Sequence, residues 1–434
     1  MPLNAPSSSE NFEASVYRKI TWRLMPYLFL CYVLAYVNRV NVGFAKLQMQ
    51  QSLDMSDAVY GFGAGLFFIG YFFLEVPSNM LLKRIGARLL LGTIMIIWGI
   101  VSAFTMFTGG ETSYYVLRFL LGAVESGFFP GVILYLTFWY TDKHRARMVA
   151  LLMSAVPISG MTAGPLSGWI LTHFQGVAHL GGWQWLFLLC GIPSSIAGIV
   201  TLLFLTDEPA KAGWLSADEK KLVLNRLREE EERKQRTGKS SHRFVDVFKS
   251  PAVWLLSLVY FGITMGNYGI GFWLPQLIKD TLSKDPVTIG LLFALPWTVT
   301  LAAMYWLGHH SDATGERRWH LALSLIVAAA AFAVSAIPGI PGVVGFIALT
   351  VATAGIVSSF TVFWALPTAI LSGTAAAAGI AWINSIGNLG GWLGPYAVGL
   401  IRDMTHSMTM ALLTLSAGAM AAALIALYVT RKRA

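Results

Sequence analysis

Apolar runs of about twenty residues recur along this chain, each long enough to cross the hydrocarbon core of a bilayer. They lie at 24–46, 58–82, 88–107, 114–138, 147–172, 183–205, 252–275, 287–308, 320–338, 343–366, 376–401 and 407–430. Only 12% of the residues are charged and 56% are hydrophobic, whereas a soluble domain carries about 25% charged residues. The expected fold is an all-α polytopic membrane protein, because a helix satisfies its own backbone groups in lipid. Twelve spans put both termini on one side. Residues 1–15 are polar and hold no basic segment ahead of an apolar core, so the first run reads as a retained transmembrane helix. Cys31 and Cys190 both sit inside apolar runs, which argues against a disulfide framework.

Basic residues choose the side. Lys83, Arg84 and Arg88 follow span two; Lys143, Arg145 and Arg147 follow span four. Arg317 and Arg318 follow span eight, and Arg431, Lys432 and Arg433 close the chain. The alternate loops are poor in Lys and Arg: 338–342 has none, and 108–113 has only Glu111. The net charge of +9 is thus a topology signal and implies no nucleic-acid partner. The positive-inside rule places both termini in the cytoplasm, and the expected location is the cell's inner (plasma) membrane. The polar stretch 206–250 divides the chain into units 1–205 and 251–434 of six spans each. Ser216 and Glu219 form a capping box there, and the charge run at Glu229 to Glu232 reads as the solvated face of a linker helix.

The two halves are related. Gly86 and Gly315 are 229 positions apart, as are Asn38 and Asn267; Gly164-Pro165 and Gly394-Pro395 are 230 apart. Two pseudo-symmetric bundles follow, with the substrate site between them near the midplane. Gly160, Gly164 and Gly168 recur every fourth residue of span five, a pattern that favours close helix packing over a hinge. The turns at Gly86 and Gly315, with Arg88, Asp312 and Arg317, anchor topology or form a latch between helices.

Four charges sit inside the spans: Arg39, Glu75, Arg118 and Glu125. Each costs about 2.5–3.5 kcal/mol at mid-bilayer, so such residues usually face a cavity. Arg118 and Glu125 are seven apart and share a helix face. Arg39 and Arg118 are expected to converge above Glu125, ready for a carboxylate, which suits the planar fork of arginine. The plainer reading pairs one arginine with Glu125 to hold helices together; two cations on one anion still leave positive charge over. Glu75, near the end of span two, is expected to pair with the basic loop after it. The second half offers only neutral groups: Asn267, Tyr268, Trp297, Thr361, Trp364, Asn384 and Asn388.

These residues resemble the anion:cation symporter family of the major facilitator superfamily over nearly the whole chain. The similar segments begin with Tyr36-Val37-Asn38-Arg39-Val40-Asn41-Val42-Gly43-Phe44-Ala45 and Glu75-Val76-Pro77-Ser78-Asn79 with the Gly86-Ala87-Arg88 loop. Arg118-Phe119-Leu120-Leu121-Gly122-Ala123-Val124-Glu125-Ser126-Gly127, Trp214-Leu215-Ser216 and Asn384-Ser385-Ile386-Gly387-Asn388-Leu389-Gly390-Gly391 complete the set. The resemblance implies the twelve-helix fold and proton-coupled uptake of organic anions such as sugar acids, tartrate or phthalate. It implies substrate-facing roles for Arg39, Arg118, Tyr36, Tyr71, Thr361, Trp364 and Asn384, and proton coupling at Glu125. Several sugar-acid members have Asp where this chain has Asn38, so one proton-carrying carboxylate is missing.

The expected function is symport of a proton and a small organic anion by a monomer, with no cofactor and no metal. A proton-coupled exporter or exchanger of another small molecule is the alternative; it would be expected to hold surplus acidic charge, and here the surplus is basic. A passive channel needs pore helices or rings of like charge, and an enzyme needs a motif such as H-E-x-x-H or G-x-S-x-G; neither set is evident.

Overall fold

The computed structural model describes residues 8–237, 250–370 and 374–431. Lys432, Arg433 and the linker stretch 238–249 lie outside them. Helices α1 (Ser8–Ser52), α2 (Asp57–Ile85) and α3 (Ala87–Phe104) are spans one to three. Span four is α4 (Glu111–Glu125) followed by α5 (Phe128–Thr137), and span five is α6 (Asp142–Met153) followed by α7 (Ala155–His173). Span six is α8 (Gly182–Phe204), and α9 (Ala217–Thr237) belongs to the linker. In the second half, α10 (Pro251–Thr281), α11 (Pro286–Thr314) and α12 (Arg318–Ser335) precede span ten, built from α13 (Gly342–Phe363) and α14 (Ala365–Ile370). Helices α15 (Thr374–Thr405) and α16 (Thr409–Thr430) complete the bundle. Eleven stretches of described residues are long and apolar enough to cross a membrane. The twelfth expected run, 376–401, folds as α15.

Three spans are interrupted just ahead of a proline. Pro130, Pro157 and Pro367 lack the N–H that would bond the carbonyls of Ser126, Met153 and Phe363 four residues earlier. The helix is interrupted at each of those places. The break in span four falls beside Glu125, and that in span ten beside Trp364.

The repeat is visible in space. Helix α2 packs along α15, and α7 packs along α11. Span two thus meets span eleven, span five meets span eight, and a shift of six spans exchanges the two seams. Helices α1 and α10 cross where the same offset predicts: Arg39 touches Tyr268, 229 positions on, and Lys46 touches Gln276, 230 on. The glycines of span five face the α11 seam. A Cβ on Gly164 would stand 2.4 Å from the Gly290 carbonyl oxygen, so only glycine permits that approach.

The end carrying Asp57 is sealed by charge. Lys46 Nζ lies 2.8 Å from Asp57, Arg402 lies 3.2 Å from Asp57, and Arg402 lies 2.8 Å from Asp280. The Asp403 carboxylate accepts from the backbone N–H groups of Asp57 (3.0 Å) and Ala58 (2.7 Å) at the start of α2. Lys46 is fully buried, with its ammonium 4.5 Å from the Trp273 ring. The Arg402–Asp57 ion pair and the two Asp403 hydrogen bonds join the two halves.

At the other end each half turns on a glycine at positive φ, Gly86 at 87° and Gly315 at 68°. Asp207 accepts the Arg88 backbone N–H at 2.8 Å. Glu316 does the same for Trp319 at 2.8 Å in the second half, and Arg317 pairs with Asp312 at 3.1 Å. The first part of the linker is docked on this end of the first half. Ser216 and Glu219 make both bonds of the capping box (2.7 and 3.2 Å), and Lys19 reaches Glu219 at 2.8 Å. Hydrogen bonds from Lys19 and from the Ser216 N–H hold the Glu219 carboxyl below its ordinary range. Arg226 pairs with Glu13, and Trp214 stacks on Trp139 at 5.5 Å.

Gly164→Val places its branched side chain against the Gly290 backbone, where overpacking costs about 1–3 kcal/mol. The purified variant is expected to melt well below the parent; an unchanged melting temperature would show that the α7–α11 seam is looser than described.

Candidate functional site

Span one brings Arg39, span two Phe67 and Tyr71, and span four Arg118 and Glu125 to one place inside the first half. Arg118 and Glu125 are each 1% exposed. Arg39 donates one amino group to Glu125 and the other to the Tyr268 hydroxyl at 3.1 Å, across the boundary between halves. Arg118 donates to the Ala64 carbonyl at 3.2 Å. Both guanidiniums approach the same Phe67 ring, at 5.1 and 5.3 Å from its centroid. Among the described residues, Arg118 Nε and Nη1, Arg39 Nε and Glu125 Oε2 are buried without a hydrogen-bond partner.

The expected convergence of both arginines on Glu125 is therefore met in part. Arg39 takes the carboxylate, and Arg118, closer to the sealed end, keeps the surplus charge. A cation over an aromatic face gains about 0.5–2 kcal/mol, less than the several kcal/mol that desolvating a guanidinium costs. An arriving carboxylate would supply what is missing: an acceptor of opposite charge for buried guanidinium donors.

The walls are aromatic. Tyr36 and Tyr71 lie 5.7 and 5.9 Å from the Arg39 guanidinium. Tyr36 meets Trp297 edge-on at 6.1 Å, and the Asn267 side chain faces its hydroxyl. Phe68 packs against Tyr268 at 4.3 Å. Further along the α2–α15 seam, Asn384 donates to Glu75 at 2.6 Å and Ser385 donates at 3.4 Å. Glu75 was expected to pair with the loop after its own helix; these two partners lie in the opposite half, because α2 and α15 run side by side. Trp364 packs on Tyr260 at 4.8 Å, still farther along. Thr361 is exposed beside Gly308, and its hydroxyl donates to the Ser358 carbonyl.

Asn38 does not face this cluster. Its amide nitrogen donates to the carbonyls of Leu34 (2.9 Å) and Cys190 (3.0 Å) and to Ser194 Oγ (2.9 Å). Its oxygen accepts from Ser102 at 2.7 Å. The amide is a buried knot joining α1, α3 and α8. Sequence reading also passed over Lys46, Asp57, Asp280 and Arg402. They sit at the ends of apolar runs, where charge normally meets water. A lysine within the last turns of a span, followed by an aspartate at the start of the next, was the available signal.

Asn38→Asp would set a carboxylate against two carbonyl oxygens, leaving buried acceptors unsatisfied at about 1–3 kcal/mol. Thermal unfolding is expected to show a lower melting temperature; a variant as stable as the parent would mean that the three donor contacts contribute little.

Comparison with known proteins bears on the fold and the family. Residues 28–395 match the family model described as Major Facilitator Superfamily. The chain is 45% identical over 399 residues to the "Putative metabolite transport protein NicT" of Pseudomonas putida, covering 92% of this chain and 90% of that one. It is 44% identical over 423 residues to a "Putative tartrate transporter" of Agrobacterium vitis (98% and 96% covered). It is 39% identical over 406 residues to the "Quinolone resistance transporter" of Acinetobacter baumannii (94% and 93% covered). Among solved structures, an inward-facing bacterial homologue of the human lysosomal transporter Spinster has the same fold, with a TM-score of 0.76 at 16% identity and 98% of each chain covered. By its spans, its seams and this match, the chain is a multi-pass membrane transporter that belongs to the major facilitator superfamily.

Proposed function

We propose that this transporter carries a small organic anion together with a proton into the cell. In this reading it acts as a monomer in the inner membrane with both termini cytoplasmic, two six-helix units (1–205 and 251–434) rocking about the central site. The observation that carries the proposal is the surplus guanidinium: Arg118 is buried, and two of its donor atoms face no acceptor among the described residues. The tartrate transporter named among the relatives supports an anionic substrate. Tartrate itself, a sugar acid or an aromatic acid would each offer the required carboxylate.

The proton belongs to Glu125. A substrate carboxylate held by Arg118 and reaching Arg39 brings a second negative charge beside Glu125, and a nearby like charge favours a proton on one of the two carboxylates. Anion and proton then bind with mutual reinforcement, because linkage is reciprocal. Glu75, tied to Asn384 and Ser385, holds the α2–α15 seam, and the Gly86 and Gly315 turns with Arg88, Asp312 and Arg317 brace the cytoplasmic ends. A second reading, proton-coupled export, is favoured by the name of the Acinetobacter relative.

Purified protein is first screened by thermal shift against sugar acids, hydroxy-dicarboxylates and aromatic acids, since a ligand of the folded state raises its stability. The acid that binds is then followed in proteoliposomes. Inward pH-driven accumulation is expected in the parent. Glu125→Gln is expected to abolish accumulation yet keep exchange of labelled for unlabelled acid. Arg118→Lys is expected to weaken binding at least about tenfold, because a point charge cannot replace the fork. Accumulation that survives in Glu125→Gln removes that residue from coupling, and flux that runs only outward favours the export reading.

A further inference from the structure

The charges at the Asp57 end take no part in the proposed anion site. Lys46 on α1 and Asp57 on α2 belong to the first half; Asp280 on α10 and Arg402 and Asp403 on α15 belong to the second. Sorted by half, their bonds are of two kinds. Within halves, Lys46 pairs with Asp57 at 2.8 Å and donates to Gln50 at 2.7 Å. Arg402 pairs with Asp280 at 2.8 Å, and Gln276 donates to Asp280 at 2.7 Å. Between halves, Arg402 pairs with Asp57 at 3.2 Å, and the Asp403 carboxylate accepts the Asp57 and Ala58 N–H groups. Lys279 donates to the Leu47 carbonyl at 3.1 Å, and Lys46 reaches Gln276 at 3.5 Å. Parting the halves breaks only the second kind. Asp57 leaves with Lys46, and Arg402 leaves with Asp280.

Lys46 differs from the other charges. Its side chain is 0% exposed, against 14% for Asp57, 21% for Arg402 and 34% for Asp280. Its ammonium lies 4.5 Å from the Trp273 ring of the second half and 5.2 Å from the Tyr60 ring of its own. Aromatic faces return less than the hydration that a buried ammonium gives up. The cover is close: Gly399 brings α15 so near α2 that a Cβ there would collide with the Asp57 carbonyl oxygen.

We infer that Lys46 is a charge loaded against the seal. Closing the Asp57 end strips water from its ammonium, and opening that end returns it. Arg402 and Asp403 pull the halves together; Lys46 pushes them apart, and Asp57 makes its burial tolerable. The two cations on one carboxylate thus act in opposite senses. These bonds hold neither proton nor anion, so the balance they set applies to the empty and the loaded carrier alike, the two forms that a symporter must let cross. The inference rests on the reading that the two halves rock about the central site, and it names what sets the balance at the outward mouth of the proposed topology.

No substrate is needed for the test. Full-length protein with Cys31→Ala and Cys190→Ala is spin-labelled at Gly109→Cys and Ile337→Cys, exposed positions at the Asp57 end of the two halves, and placed in lipid nanodiscs. The ratio of long to short interlabel distances reports opening. Arg402→Gln and Asp403→Asn are each expected to raise that ratio severalfold. Asp57→Asn is expected to raise it further, at least about tenfold over the parent, because it leaves the buried ammonium without its anion. Adding Lys46→Met to Asp57→Asn is expected to bring the ratio back to about that of Arg402→Gln, since the load is then gone and only the Arg402–Asp57 bond is missing. On the Asp403→Asn background, where the long distance is populated, Lys46→Met alone is expected to lower the ratio.

An Asp57→Asn ratio equal to the parent's, or a double variant as open as Asp57→Asn, overturns the load on Lys46 while leaving the rocking of the halves in place. A single unchanged distance in the parent and every variant removes the rocking and the seal together. If Asp57→Asn does not fold, Lys46→Met on the Asp403→Asn background carries the comparison, and a ratio that rises there overturns the inference.

Discussion

Two arginines and one carboxylate lie within a few side chains of each other in the middle of an apolar bundle, and the charges do not cancel. Arg39 spends itself on Glu125, and Arg118 is left with Ala64 and Phe67. Neither a carbonyl nor an aromatic face replaces the hydration that a guanidinium loses on burial. A chain under ordinary selection for stability would do better with leucine at position 118. The surplus charge persists in a site walled by Tyr36, Tyr71, Tyr268 and Trp297, where an anion can complete it.

The rest of the architecture positions that imbalance. Duplicated six-span halves meet along two seams related by the repeat, so the midplane between them is the natural place for a site that both can reach. Proline breaks interrupt spans four and ten beside Glu125 and Trp364, next to groups that line the interior. One end is held by buried Lys46 with Asp57, Arg402 and Asp280. The described part of the linker is held on the first half through Trp214, Glu219 and Arg226.

Much of this was legible in the residues. The span count follows from run length, the repeat from the paired Gly86 and Gly315 loops, and the shared face of Arg118 and Glu125 from a seven-residue spacing. The Ser216–Glu219 box appears as read. What could not be read is set by helix rotation and neighbours. Spacing says that Arg39 and Arg118 approach Glu125, and only the relative rotation of α1 and α4 decides which one binds it. Glu75 looks local in sequence, next to a basic loop, yet α15 brings Asn384 and Ser385 to it from the other half. Asn38 reads as a lost carboxylate, whereas its four bonds show a packing knot turned away from the site. Lys46 and Arg402 hide at span ends, where a charge usually means water.

The most direct measurement is the number of protons taken up when an anion binds. Calorimetric titration of the purified protein with the acid that raises its melting temperature, repeated in buffers of different ionisation enthalpy, yields that number. With Arg118 supplying the surplus charge and Glu125 the proton, uptake should be close to one proton per anion near neutral pH, and close to zero in Glu125→Gln. Tight binding with no proton uptake by the parent would contradict the coupling of these two groups.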